Sequence, residues 1–360
     1  MEGLKKSIKN SHILIIGSGI IGKFNALELS EKGFQITIAD PQQNKNSSRA
    51  ALGLLMSHMY QKSKGRSWEL RKKSNELWPK WIKFLQRYNK NLDIEKPLIQ
   101  LTSDQAHFEK LSQFVSNHPK RDLRVLEKGS STIKNINKIF NIKNLRGIIS
   151  FQDGRIDPIS LLKTINIYLK NKRINFINEE VINIKKLNNQ WISTCKNNFE
   201  IKSDAIILCN SLDALKLISL DKHNIKLKPV LGQAIEIFIN EKEIDLLSLP
   251  KHFSINGKNF IPLDKNKLII GSTDEYGVYP KEDIFKELTD YLKTEPTWLN
   301  EKNIIKRWFG IRSRPANEAS PILKSLEKGL ILCTGFYKNG ILLAPACSNW
   351  VSNEIENHLS

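Results

Sequence analysis

Six residues near the N-terminus, Gly17-Ser18-Gly19-Ile20-Ile21-Gly22, constrain the fold more than any other part of the chain. They follow an apolar run, His12 to Ile16, and open a segment, Ile20 to Lys32, whose apolar residues (Ile20, Ile21, Phe24, Leu27, Leu29) recur at helical spacing. Gly33 stands where a helix C-terminal glycine belongs, and Phe34 to Ala39 reads as a second strand. In such a strand–turn–helix–strand unit, Gly17 permits the tight turn, Gly19 lets the backbone approach a pyrophosphate, and Gly22 lets the helix pack on the strand. The helix N-terminus presents N–H groups and the positive end of its dipole to the phosphates. Asp40, at the end of the second strand, is placed to accept hydrogen bonds from ribose hydroxyls and would repel a 2′-phosphate, which argues against NADP. The spacing alone does not separate NAD from FAD.

Further along, Arg66 to Tyr88 reads as a helix, with a weaker pattern from about Asn89 to Asn144: short strands at Leu98 to Leu101 and Leu123 to Leu126, and a helix near Gln105 to Ser116. Asp157-Pro158 precedes a helix, Ile159 to Lys170. Strands are expected at Ile174 to Ile177, Val181 to Lys185, Gln190 to Thr194 and Ala205 to Leu208. Lys228 to Thr273 is strand-rich (Gln233 to Ile239, Phe260 to Ile261, Leu268 to Ile270), and Glu282 to Lys293 is helical. The end reads as a strand, Leu330 to Cys333, a glycine turn and a helix, Gly340 to His358. The expected class is α/β, or α+β overall. A Rossmann-type nucleotide-binding domain is built from discontinuous segments (1–88, 145–228 and 306–360), and a β-rich, mostly antiparallel substrate domain comprises 89–144 and 229–305.

Composition excludes some function classes. No run approaches the ~18–20 apolar residues of a membrane-spanning helix, and the Lys-rich stretch Met1 to Asn10 leads into no signal-type segment, so a cytoplasmic protein is expected. Cys195, Cys209, Cys333 and Cys347 lie far apart, with no metal-type spacing, so no metal is expected. The net charge of +19 would suit RNA, but the Lys and Arg are spread along the whole chain beside abundant Asn and Ile, which reads as a solvated basic surface.

Six further stretches, together with the glycine motif, carry a resemblance to the D-amino-acid oxidase superfamily of flavoproteins, in its glycine oxidase-like branch. These are Ser47-Ser48-Arg49-Ala50-Ala51-Leu52-Gly53-Leu54-Leu55, Asp153-Gly154-Arg155-Ile156-Asp157-Pro158, Pro229-Val230-Leu231-Gly232-Gln233, Ile270-Gly271-Ser272-Thr273-Asp274-Glu275, and Trp308-Phe309-Gly310-Ile311-Arg312 with the block Gly335 to Pro345. They come in family order and cover nearly the whole chain. The resemblance implies non-covalent FAD. By matching, Gly17, Gly19, Ile20, Ile21 and Gly22 hold the pyrophosphate, and Asp40 and Pro41 the adenosine ribose. Ser47 and Ser48 touch the cofactor, and Leu52, Gly53 and Leu54 lie along the isoalloxazine. Val181 meets adenine through its backbone, and Tyr337, Lys338, Asn339, Gly340, Ile341 and Leu342 cap the flavin.

Arg312 matches the arginine that pairs with a substrate carboxylate, for which a planar guanidinium is suited. Lys338 replaces a second substrate-side arginine, keeping charge but losing the bidentate fork. Arg314 is a rival to Arg312, and Cys209-Asn210-Ser211 replaces part of a small-residue turn beside the cofactor. The implied activity is oxidation of the carbon–nitrogen bond of a small amino acid or amine by hydride transfer to flavin N5, giving an imine that hydrolyses, with oxygen or another acceptor taking the electrons. Catalysis then asks for position and electrostatics rather than an acid or base. Of the seven histidines only His58, after the flavin-side loop, invites a role, against a packed one. Two alternatives stand beside this reading: a flavin enzyme modifying the tRNA wobble uridine, and a flavin-binding protein without turnover. Homo-oligomerisation is left open.

Overall fold

In the computed structural model, which describes residues 10–42, 47–218, 223–239, 244–290, 296 and 298–360, the strand His12–Ile16 lies inside a six-stranded sheet. The order is Ile322–Glu327, Leu330–Thr334, Ala205–Leu208, His12–Ile16, Gln35–Ala39, Asn175–Ile177. All pairs are parallel except Ile322–Glu327 with Leu330–Thr334, a hairpin at the edge. Successive side chains of a strand point to opposite faces, so a run apolar throughout needs cover on both. Ile13, Ile15, Ile36, Ile38 and Ile207 pack against the helices Ile20–Glu31, Arg66–Leu85, Pro158–Asn171 and Gly340–Leu359. Leu14, Ile16, Ile206 and Leu208 pack on the other face, with Trp191 and Ile201 of the three-stranded sheet Val181–Leu187, Gln190–Cys195 and Glu200–Ser203.

A nine-stranded, mostly antiparallel sheet is the second large sheet, with the long strands Leu227–Phe238 and Ile304–Pro315 side by side. Its own core gathers Ile235, Phe253, Phe260 and Ile270 with Ile136 and Phe140 of the helix Ser131–Phe140. The parallel pair in this sheet joins Leu98–Thr102 to Phe253–Ile255.

The helix–strand unit at the N-terminus stands where the glycines put it, and the helices expected near residues 66–88, 105–116, 159–170 and 340–358 occur as Arg66–Leu85, Gln105–Asn117, Pro158–Asn171 and Gly340–Leu359. The expected strand Gln233 to Ile239 is the second half of a twelve-residue one. The helix expected over Glu282 to Lys293 is found as Ile284–Thr289, and residues 291–293 lie outside the described residues, as do residues 1–9 of the Lys-rich N-terminal stretch. Two segments that the expected division groups with the nucleotide-binding domain, Arg146–Ser150 and most of Ile304–Pro315, pair in the nine-stranded sheet instead. No glycine- or proline-rich linker marks either junction, so sequence carries no boundary there. Among the described residues no helix is long and apolar enough to cross a membrane, and no His/Cys/Asp/Glu group could hold a metal ion.

Candidate active site

A cavity of about 770 Å³ is lined from both sheets, within the ~300–1,000 Å³ range of ligand sites. One end lies over the C-terminal ends of the parallel strands, at Ile16, Ala39, Cys209 and Thr334, where doubly wound sheets bind their ligands. The other end reaches Gly232, Asn259, Ser272 and Gly310 to Ser313 of the second sheet.

The glycines of the fingerprint have distinct structural reasons. Gly17 has φ +103°, and a Cβ there would meet Asn210 N at 2.8 Å. At Gly22 a Cβ would sit 1.9 Å from the Gly17 carbonyl oxygen, so this residue sets how closely helix and strand pack. No side chain caps the helix Ile20–Glu31 at Gly19, and its first turn holds no acidic residue. The first turn of this helix, at Gly19, Ile20 and Ile21, lines the cavity. Ser48 Oγ accepts from Ile20 N at 3.0 Å. Asp40 lines the cavity and accepts from Ser18 N at 2.6 Å and Gln42 N at 2.7 Å, which fixes its carboxylate at the strand end. Asn210 Oδ1 is a buried acceptor with no partner among the described residues, on a residue that also lines the cavity.

Of the residues expected at the cofactor, Gly17, Gly19, Ile20, Ile21, Asp40, Pro41, Ser47, Ser48, Leu52, Gly53, Leu54, Val181, Tyr337, Lys338, Gly340 and Ile341 all line this one cavity. Three do not. Gly22 lies behind the turn. Asn339 Oδ1 accepts from Arg71 Nη2 at 2.8 Å, and Leu342 is buried with its carbonyl accepting from Trp78 Nε1 at 3.0 Å. They act from behind: Arg71 and Trp78, both on the helix Arg66–Leu85, hold the first turn of the last helix against the cavity.

The Asp153 to Pro158 stretch has a role that its sequence does not reveal. Buried Asp153 accepts from the backbone N–H of Ser57, His58 and Met59 at 2.7–2.9 Å. Arg155, ion-paired to Glu95 at 2.7 Å, donates to the Leu52 carbonyl at 2.9 Å. Asp157 caps the helix Pro158–Asn171 by accepting from Ser160 N at 2.7 Å. Ile156 N donates to the Gly53 carbonyl at 2.9 Å. Gly53 has φ +87°, and a Cβ would fall 1.9 Å from Ile156 O. The stretch is a clamp that holds the Leu52 to Met59 backbone in place. His58 belongs to it, its ring bonded to Arg121 O at 2.8 Å and Asn75 at 3.0 Å. It is a packed histidine, away from the cavity.

At the second-sheet end, Arg312 lies across Gly232 of the neighbouring strand: a Cβ on Gly232 would be 2.0 Å from Arg312 Nη2. The guanidinium donates to Thr273 O at 3.2 Å, Ser272 Oγ at 2.8 Å and Asp274 Oδ1 at 3.0 Å. Burial pulls its pKa down, and the Asp274 charge opposes this most strongly; an arginine stays charged regardless. Asp274 also takes bonds from Lys338 Nζ and, at 3.2 Å, from Tyr337 OH. Burial, then the Asp274 charge, raise the Tyr337 phenol. Arg314, two residues on, is exposed and bonds Tyr276 OH at 3.2 Å without lining the cavity. Asp274, Ser272 and Lys258 line the cavity too and were not expected as site residues. Their signal in sequence is weak, because Asp274 shares its motif with the neighbouring acid Glu275 and Lys258 is one Lys among many. Among the described residues no histidine lines the cavity.

The donor set fits a dinucleotide cofactor with a flavin: glycine clearance, a helix N-terminus and a fixed carboxylate at one end, apolar side chains and a second helix N-terminus at the other. Comparison with known proteins agrees. The family described as DAO, FAD dependent oxidoreductase, matches residues 12–354. The bifunctional protein ThiO/ThiG of Synechocystis sp. is 22% identical over 96% of this chain and 51% of its own length. The ThiO/ThiG protein of Nostoc sp. is 23% identical over 95% and 52%. The chain thus spans about half the length of these curated relatives. Among solved structures, a glycine oxidase from Bacillus cereus ATCC 14579 has a TM-score of 0.81 at 21% identity, covering 97% of this chain and 95% of that one. An iminodiacetate oxidase from Chelativorans sp. BNC1 has 0.79 at 18%, covering 96% and 95%. These likenesses establish the fold.

Proposed function

Because the chain belongs to the family of FAD-dependent oxidoreductases, we propose that it oxidises the carbon–nitrogen bond of a small amino acid or N-alkylated amino acid. The observation that carries this reading is Arg312, a half-buried guanidinium laid across Gly232 at one end of the cavity whose other end carries the glycine fingerprint and Asp40. FAD, when bound, supplies the two-electron acceptor. Gly17, Gly19, Ile20, Ile21, Ser47 and Ser48 would hold its pyrophosphate side, Asp40 and Pro41 its ribose, and Val181 its adenine. Leu52 to Leu54 and the Tyr337 to Ile341 turn would enclose the flavin, with the N-terminus of the last helix stabilising negative charge there.

The chain's own work at the substrate is positional. Arg312 fixes the carboxylate, Lys338 adds positive charge, and the Tyr337 phenol donates at the same end. Leu52 and Ile341 supply apolar surface that keeps water from the reacting carbon. Oxygen or another acceptor takes the electrons on. We further propose a cofactor domain around the six-stranded sheet and a substrate domain around the nine-stranded sheet, the latter taking in Arg146–Ser150 and Ile304–Pro315, which the division expected from sequence gave largely to the former. A reducing, cytoplasmic setting is supported by four buried free thiols.

The test is anaerobic addition of glycine, sarcosine and small D-amino acids to the flavin-loaded protein. The expected result is loss of the oxidised-flavin absorbance with at least one of them, absent in Arg312→Ala. A protein that none of them bleaches, but that binds tRNA with strong salt dependence, would replace this reading with RNA modification.

A further inference from the structure

On the reading that Arg312 receives a substrate carboxylate, we infer that Asp274 is a specificity residue that rejects plain carboxylates and admits ligands bringing a positive charge beside the carboxylate. The guanidinium has five N–H groups, and three are taken by Thr273 O, Ser272 Oγ and Asp274 Oδ1. Both N–H groups of Nη1 are used, so a ligand carboxylate on the remaining N–H groups, of Nη2 and Nε, shares one guanidinium with the Asp274 carboxylate. Asp274 cannot retreat without cost, since Lys338 and Tyr337 hold it from the other side.

The cavity end is thus an ordered pair, a cation from Arg312 and an anion from Asp274, with Lys338 beyond. A plain carboxylate is attracted by Arg312 and by the lysines Lys338 and Lys258 that share the cavity, and repelled by Asp274. A zwitterion or an amino acid with a fixed cation satisfies both, its positive group facing Asp274. Two carboxylates sharing one guanidinium at a partly exposed site repel each other enough to weaken binding by on the order of tenfold. Side chains 43% and 47% exposed at Asp274 and Lys338 leave this end reachable from solvent.

The experiment compares acetate with N,N,N-trimethylglycine, a zwitterion lacking any N–H, on flavin-loaded protein. Binding is followed by the shift of the flavin spectrum and, independently, by equilibrium dialysis. The wild type is expected to bind trimethylglycine more tightly than acetate. In Asp274→Asn the acetate Kd should fall tenfold or more, while that of trimethylglycine stays or rises, so that the preference collapses. Asp274→Ser repeats the test should the amide disturb folding, judged by flavin content. An acetate Kd that is unchanged or raised in both variants overturns the role of Asp274. Arg312→Ala separates the two ideas. If it removes acetate binding while Asp274→Asn changes nothing, only the inference fails. If acetate binds equally with and without Arg312, or binds none of the proteins, the carboxylate-binding reading fails with it.

Discussion

At the scale of single residues, glycine matters for the side chains it makes room for. Arg312 occupies the space a Cβ on Gly232 would need. Gly232→Ala should push the guanidinium off its strand and raise KM for a carboxylate substrate at least tenfold, with bound flavin unchanged, in steady-state kinetics. Arg314→Ala should change KM less than about threefold, because that side chain is solvated and bonds Tyr276. Arg312 was visible in sequence because its motif travels with it. Asp274 was not, because its meaning comes from two cations, Arg312 and Lys338, that meet it only after folding. Arg155 shows the same limit: its motif is readable, but its bond to Leu52 spans 103 residues.

At the scale of elements, the packing of the helix Ile20–Glu31 on the strand His12–Ile16 depends on Gly22. Gly22→Ala must drive the helix off the Gly17 carbonyl and open the phosphate turn. The expected product is folded protein that purifies with little or no flavin, read from its visible absorbance per mole of chain. Elements with strong periodicity or a capping signal were legible, such as the Asp157-Pro158 start of Pro158–Asn171. The helix Ser131–Phe140 was missed although Ser130 caps it and Ile133, Ile136, Ile139 and Phe140 are its buried stripe; Lys and Asn between them mask a ten-residue pattern. The strand Ile304–Pro315 was missed as an element because four of its residues are charged, and its regularity comes from its long antiparallel partner.

At the scale of the whole molecule, the cofactor site draws on segments from Ile16 to Ile341, so binding there should stabilise the fold as a unit. FAD at 100 times its Kd is expected to add about 2.7 kcal/mol, measured as a rise in melting temperature that Gly22→Ala lacks. Acid should work against stability through His252. Its imidazole is fully buried, and burial lowers its pKa from 6.5 to about 4. Between these values the unfolded chain takes up a proton that the folded one refuses, so stability falls as pH drops from 6.5 to 4. The effect is on the order of 3 kcal/mol, and His252→Gln should flatten the melting temperature over that range relative to wild type. The central strand has a consequence in time. His12–Ile16 finds Gln35–Ala39 almost at once, but its other neighbour, Ala205–Leu208, is held near it by a bond from His12 to Asp204, 192 residues later. At ~5–20 residues per second of synthesis, that flank waits roughly 10 to 40 s on the ribosome. During this wait the nascent chain displays a strand edge of unpaired N–H and C=O groups beside the apolar side chains of Ile13 to Ile16, a template for pairing with another chain.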